Sequence, residues 1–268
     1  MSLFMLMITE EGSESKHCTI CGEKDESSVR TIPKLKLAPG SDPKQMGTDG
    51  TAVGAVASAV AAEKAFLAQT SDVDPKGAVF GKLKLKSTKQ TKKSVTITWT
   101  KVSGASKSVI YGNRCGKNVR KVKLGVVSGN SKTFQDVAGK KVKKGTYYKF
   151  IVVALDKNGR VVSTSMLIHA ATKGGKVGNP KSVKVKKAVV KKAAKLKKGK
   201  SLKLNAKAVA ASKKLKVKKH TSIRYESSNI KIATVSKKGV VKGKKKGTCY
   251  VYAYAQNGVA KKIKVTVR

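Results

Sequence analysis

Residues 247–254 read Gly247-Thr248-Cys249-Tyr250-Val251-Tyr252-Ala253-Tyr254, and residues 261–267 read Lys261-Lys262-Ile263-Lys264-Val265-Thr266-Val267. In the first run Cys249, Val251 and Ala253 alternate with Tyr250, Tyr252 and Tyr254. In the second, Ile263, Val265 and Val267 alternate with Lys262, Lys264 and Thr266. Successive side chains of a strand point to opposite faces, so one apolar set at every second position marks a half-buried strand. The same style runs upstream through VKVKK, KSLKLNAKAV, SIRYES, IATVS and GVVKG. Ser227-Ser228-Asn229 is a turn former at a strand end. Gly239 and Gly243 bracket a two-strand step, and Gly247-Thr248 opens the next strand. Residues 181–268 therefore form one small sandwich.

Working outward, GGKVGNP (174–180) is a linker by composition. Before it, 80–173 is again period-two. Lys82-Leu83-Lys84-Leu85-Lys86 and Ser94-Val95-Thr96-Ile97-Thr98-Trp99 alternate, and Val109–Tyr111, Thr146–Ala154 and Val161–His169 are further strand candidates. SGAS, YGN, SGNS, KKGT and DKNG separate them as turns. Short strands at this spacing indicate a second sandwich. Residues 46–79 are a linker carrying an Ala-rich helix over about 51–68, with Glu63 and Lys64 inside it. Residues 1–45 are an irregular segment with Cys18 and Cys21. The opening MSLFMLMIT is apolar but short, without a basic flank or a small-residue cleavage site. The expectation is a fragment or a displaced start rather than a signal peptide. No apolar run reaches membrane-spanning length, so no transmembrane helix is expected.

Two resemblances sharpen the fold. The ordered series Leu196-x-x-Gly199-x-Ser201-Leu202-x-Leu204-x-Ala206, Ile223-Arg224-Tyr225-Glu226-Ser227-Ser228-Asn229, Ile232-Ala233-Thr234-Val235-Ser236, Gly239-Val240-Val241-Lys242-Gly243, Gly247-Thr248-Cys249 and Val265-Thr266-Val267 resembles the bacterial Ig-like domain of group 2. Tyr225 stands where that family often has Trp, and KKLKVKKH before Thr221 looks inserted. Residues 80–173 resemble a fibronectin type III domain. Trp99 ends a strand as the family's core Trp does, and Ser103-Gly104-Ala105 follows as a turn. Thr146-x-Tyr148-x-Phe150-x-Val152-x-Ala154 matches the strand of the tyrosine corner. Asp156-Lys157-Asn158-Gly159 is the next hairpin turn and Ala170-Ala171-Thr172 the closing strand. Ser108, where an aromatic is usual, is expected to weaken that core locally. The fold class is thus all-β: two tandem immunoglobulin-like β-sandwiches, with a short Ala-rich helix and an irregular N-terminal segment.

Charge bounds the function. Lys and Arg number 60 against 14 Asp and Glu, a net charge of +46, and only six of the basic residues are Arg. Up to residue 75 there are 7 basic and 11 acidic residues; the remainder has 53 basic and three acidic, Asp136, Asp156 and Glu226. Such a field attracts polyanions. Lysine without arginine does not suit base-specific readout, so no specific nucleic acid is expected. Most lysines alternate with Val, Ile and Leu. They are the solvated faces of strands, which also discourage edge pairing, or they contact an anionic polymer; the sequence leaves both open.

Chemistry is sparse. Three dispersed carboxylates in a region of net charge +50 do not make a glycosidase pair or a calcium hinge. No Ser-His-Asp spacing, P-loop or dinucleotide fingerprint occurs. No catalytic residue and no cofactor is expected. Cys18-x-x-Cys21-Gly22, preceded by His17, is half a zinc knuckle and a weak metal candidate. The first reading is instead an unpartnered or disulfide-capable remnant like the CxxCG tails of small repeats in Gram-positive surface proteins; redox catalysis is the third alternative. Cys115 and Cys249 read as lone thiols, Cys249 buried. Tyr250, Tyr252 and Tyr254 form a row opposite the apolar set. On a solvent face they are an aromatic and basic platform for sugar or polymer, or simply good strand formers stacked under lysine stems.

The pairing of modules resembles surface and secreted proteins of Gram-positive anaerobes. It implies an extracellular or cell-surface, cell-wall-associated monomer acting as a spacer or adhesion scaffold. Its partners would be anionic cell-wall polymer or glycan, with a protein partner also open. The alternative is a polyanion- or carbohydrate-binding accessory region of a larger secreted enzyme.

Overall fold

The computed structural model describes residues 12–17, 24–32, 73–175, 178–211 and 222–268. The chain divides into two units, Met1–Ala61 and Ala62–Arg268. In the first, β1 (Gly12–His17) and β2 (Lys24–Ile32) form an antiparallel hairpin from Gly12↔Ile32 to His17↔Lys24. Cys18, Cys21 and the helix expected over 51–68 lie outside the described residues.

The second unit holds both sandwiches. The first begins with β3 (Lys86–Gln90), β4 (Val95–Thr98), β5 (Lys107–Arg114), β6 (Val122–Val127) and β7 (Ser131–Phe134). The short β8 (Asp136–Val137) and β9 (Lys140–Lys141) pair with each other, and β10 (Tyr147–Leu155), β11 (Val161–Thr164) and β12 (Ile168–Ala171) complete it. One sheet runs β3-β4-β7, the other β11-β10-β5-β6 with β12 also on β10. Val95 and Ile97 of the first sheet meet Ile110, Phe150, Val152 and Ala170 of the second in one core. The opposite face of β10 is buried too: Ile151 and Val153 cluster with Val109, Tyr111 and Leu167.

Three expectations change. Leu83 and Leu85 are fully buried as their alternation implies, but the ladder starts only at Lys86. The N–H groups of Lys82 and Leu83 both donate to the Val79 carbonyl, so the chain enters as a turn. The alternation recorded which side chains are covered, not which backbone groups pair. The segment expected as one strand from Val161 to His169 breaks between Thr164 and Ile168. There Ser165 holds β10 twice, its N–H donating to the Val152 carbonyl and its hydroxyl accepting the Val152 N–H at 2.9 Å. Ser108 does not weaken the core. It is buried, and its Oγ accepts the indole N–H of Trp99 at 3.1 Å. A buried indole N–H without an acceptor would cost about 1–3 kcal/mol, and a Phe at 108 would carry no oxygen to supply one. The tyrosine corner is present: the Tyr148 hydroxyl accepts the Lys143 N–H at 2.8 Å.

The second sandwich comprises β13 (Pro180–Lys184), α1 (Lys187–Ala193), β14 (Ser201–Lys203), β15 (Lys207–Ala210), β16 (Arg224–Ser227), β17 (Ala233–Val235), β18 (Val240–Gly243), β19 (Gly247–Tyr254) and β20 (Ala260–Val267). The sheets are β14-β18-β17, β16-β19-β20 and the pair β13-β15. Cys249, Val251, Ala253, Ile263, Val265 and Val267 fill the core with Leu204 and Val241, as parity requires. The seven-residue α1 was not expected from the alternating pattern. Val189, Val190 and Ala193 share one helical face, and that face packs on the core.

Candidate functional site

The tyrosine row lies on β19 opposite the core set, but it is not a solvent-facing platform. Tyr250 is partly exposed, with the Lys262 ammonium 3.7 Å from its ring centroid. Tyr252 and Tyr254 are 7% and 2% exposed, because Phe80 from the start of the first sandwich lies over them. The rings of Phe80 and Tyr254 stack at 4.1 Å and 9°, and Tyr252 meets Phe80 at 5.6 Å and 57°. Arg224 covers Tyr254 at 4.8 Å, and Lys84 approaches Tyr252 at 5.4 Å. The parity was legible in the sequence. The covering residue is about 170 positions away, so its arrival was not.

Around this aromatic cluster the two sandwiches are tied through charged and amide groups. Glu226 on β16 accepts the N–H of Phe80 at 2.6 Å and of Gly81 at 2.8 Å. Arg224 on the same strand pairs with Asp74 at 2.6 Å and donates its other terminal nitrogen to the Leu167 carbonyl at 2.8 Å. Asp74 also accepts the Leu167 N–H at 2.9 Å. Charge-assisted bonds of this kind are about twice as strong as neutral ones.

A second set of ties comes from the turn between β19 and β20. Asn257, fully buried, donates from Nδ2 to the carbonyls of Ser87 and Pro180, each at 3.0 Å. Its backbone carbonyl accepts the Ser87 N–H at 2.9 Å. The Gln256 carbonyl accepts the His169 N–H at 2.8 Å. Gly258, at φ +81°, abuts the Leu85 carbonyl so closely that a Cβ would stand 1.9 Å from that oxygen. In the linker, Asn179 clasps both backbone groups of Ala171, accepting at 2.8 Å and donating at 2.7 Å.

Burial pushes the hydroxyls of Tyr254 and Tyr252 above the ordinary 10.0, Tyr254 most. The docked state keeps these protons, while the undocked or unfolded state releases them near pH 10. Docking is therefore fully supported below pH 10 and loses support as pH rises beyond it. The thermal midpoint should fall between about pH 10 and 12 more steeply than in a Y252F/Y254F variant. Equal slopes in the two proteins would show that the tyrosines are not the cause.

Phe80, Glu226, Arg224, Asp74 and Asn257 were not among the site residues expected from the sequence. One signal was available: Glu226 is the sole acidic residue of 181–268. Cys249 is buried, and that burial raises its thiol above the ordinary value. Among the described residues no three His, Cys, Asp or Glu side chains converge as a metal site, and no helix is long and apolar enough to cross a membrane.

Residues 181–267 match the bacterial Ig-like domain (group 2). In this Ig-like domain, β19 thus serves two interfaces, its own core and the joint. No curated protein matches the chain. Among solved structures, the FN5 domain of Drosophila Lar is 22% identical, with 34% of this chain and 92% of that chain covered at a TM-score of 0.27. An Fn3-like protein from Clostridium thermocellum is 17% identical, with 34% and 88% covered at 0.27. Pectate lyase PelI from Erwinia chrysanthemi, in complex with tetragalacturonic acid, is 12% identical at 0.27; the chain spans 28% of its length.

Proposed function

We propose that the protein is a non-catalytic scaffold of an extracellular or cell-surface protein, its two sandwiches acting as one stiff spacer and its lysine faces contacting anionic cell-wall polymer. The observation that carries the spacer is the joint. Phe80 stacked on Tyr254, the Glu226 clamp and the buried Asn257 together couple the modules at three places. Domains joined only by a linker move independently by default, whereas a packed and charge-paired interface suppresses that motion. The absence of catalysis is supported by the carboxylates. Asp156 caps its own turn by accepting the N–H groups of Asn158 and Arg160, and Glu226 is engaged at the joint.

Backbone ¹⁵N relaxation on the full chain tests the spacer. Amides of β4–β10 and of β16–β20 should report one common rotational correlation time. Two distinct times would mean that the sandwiches tumble separately, and the spacer reading would fail.

A further inference from the structure

The joint occupies one end of the second sandwich. From Tyr254 at that end, β19 runs seven residues back to Gly247, about 24 Å at strand rise. The far pole is built differently. Segment 194–200 crosses it and laces the strand ends together. Leu196 donates to Thr266 and accepts from Arg268, while Gly199 donates to Gly243 and Gly243 donates to Lys200. Between this segment, the end of α1 and β14 lies a groove of about 750 Å³. Its floor is aliphatic, from Ala194, Leu196 and Leu202; its walls carry Lys191, Lys192, Lys195, Lys197 and Lys200. All five lysines are exposed. Among the described residues no carboxylate lines the groove. The sole acidic residue of 181–268 is Glu226, already committed to Phe80 and Gly81 at the joint.

We propose that this pole is a docking site for a linear polyol-phosphate polymer. Among the described residues the five ammonium groups have no counterion, so gathering them costs folding free energy that a bound polyanion offsets. Ammonium groups on flexible stems act as point charges and accept phosphodiesters in many orientations, which suits an irregular flexible polymer. The aliphatic floor takes the CH-rich face of a polyol. Nucleic acid fits less well, because the groove offers no aromatic ring for base stacking and no arginine fork for base edges. Placement at the pole remote from the joint also leaves the first sandwich projecting away from the polymer. The proposal rests on the wall-contact reading above for the class of polymer and names where contact is made.

The test uses the full chain and short poly(glycerol phosphate), with affinity measured by titration calorimetry from about 0.05 M salt upward. A K192Q/K195Q/K197Q/K200Q variant should bind at least 10-fold more weakly. Its slope of log K against log salt should shrink by about 2–3, near 0.7 per lost contact. A matched K123Q/K132Q/K140Q/K141Q variant on the first sandwich, equally exposed, should lose less than 2-fold. Far-ultraviolet melts of both variants should fall no lower than the parent's, and the groove variant's should rise as its like-charge repulsion is relieved. Equal losses in the two variants would overturn the site while leaving a general polycation. DNA of equal charge binding as tightly, with the same dependence on Lys192–Lys200, would overturn the polymer class. No binding by the parent at low salt would overturn the wall-contact reading together with the site.

Discussion

Gly258→Val is expected to undock the two sandwiches while leaving each folded. Gly258 sits at φ +81°, where a side chain is strained by about 1–2 kcal/mol whatever its surroundings. The surroundings add to this. The new Cβ would lie 1.9 Å from the Leu85 carbonyl oxygen and 2.8 Å from the Lys86 Cα, both backbone atoms that cannot rotate away. The Leu85 backbone belongs to the first sandwich and the Gly258 turn to the second. The clash is therefore relieved by separating the modules, not by repacking either core. Separation strips Asn257 of its Ser87 partner and exposes the Phe80–Tyr254 stack. The single rotational correlation time should split in two, and thermal unfolding should change from one transition to two. A variant that still tumbles as one body would show that the turn shifts without breaking the joint. Both outcomes are read on amides of β4–β10 and β16–β20, so no engineered label is needed.

Phe150→Ala should unfold the first sandwich selectively. The ring is fully buried in β10 and stacks on Phe134 at 5.4 Å and 23°. Truncating a buried Phe removes its transfer free energy and leaves a cavity, typically about 3–5 kcal/mol. Against total domain stabilities of about 5–15 kcal/mol this is a large share. Trp99, the only tryptophan, lies in the same core and remains as a fluorescence reporter. Its denaturation midpoint should fall sharply, while amides of β19 and β20, packed in a separate core, keep most of their exchange protection. A loss below about 1.5 kcal/mol would mean that Phe134 and Trp99 collapse into the space. Equal deprotection of β19 and β20 would mean that the joint transmits unfolding as well as orientation.

Both expectations draw on features that differ in how far the sequence disclosed them. Phe150 shares its strand face with Tyr148, Val152 and Ala154, and that parity by itself places it in a core. Tyr148 likewise declared its corner. Ser108 was misjudged because its value depends on Trp99, nine residues away and across the sheet sandwich, pointing its N–H there. The strand expected over Lys82–Lys86 was misjudged because periodicity tracks burial, while strand identity depends on backbone partners. Gly258 gave no sign of its role, since nothing in a turn's own sequence tells what its backbone will touch.

The sequence by itself determined what local chemistry dictates. Alternation set the all-β class and the inward set Cys249, Val251 and Ala253, because a strand has only two faces and one is apolar. Charge set the polycationic surface, since 53 basic residues after position 75 cannot be neutralised by three acidic ones. Tertiary structure alone decided what the other face of β19 does. Tyr252 and Tyr254 became a joint and not a platform because Phe80 arrives from the start of the other sandwich. It also decided that the lysines of 191–200 surround one groove, because the crossing segment is pinned to the ends of β18 and β20 by long-range backbone bonds. Contacts of that sequence separation leave no periodic mark in the chain; they exist only once the sandwiches have closed.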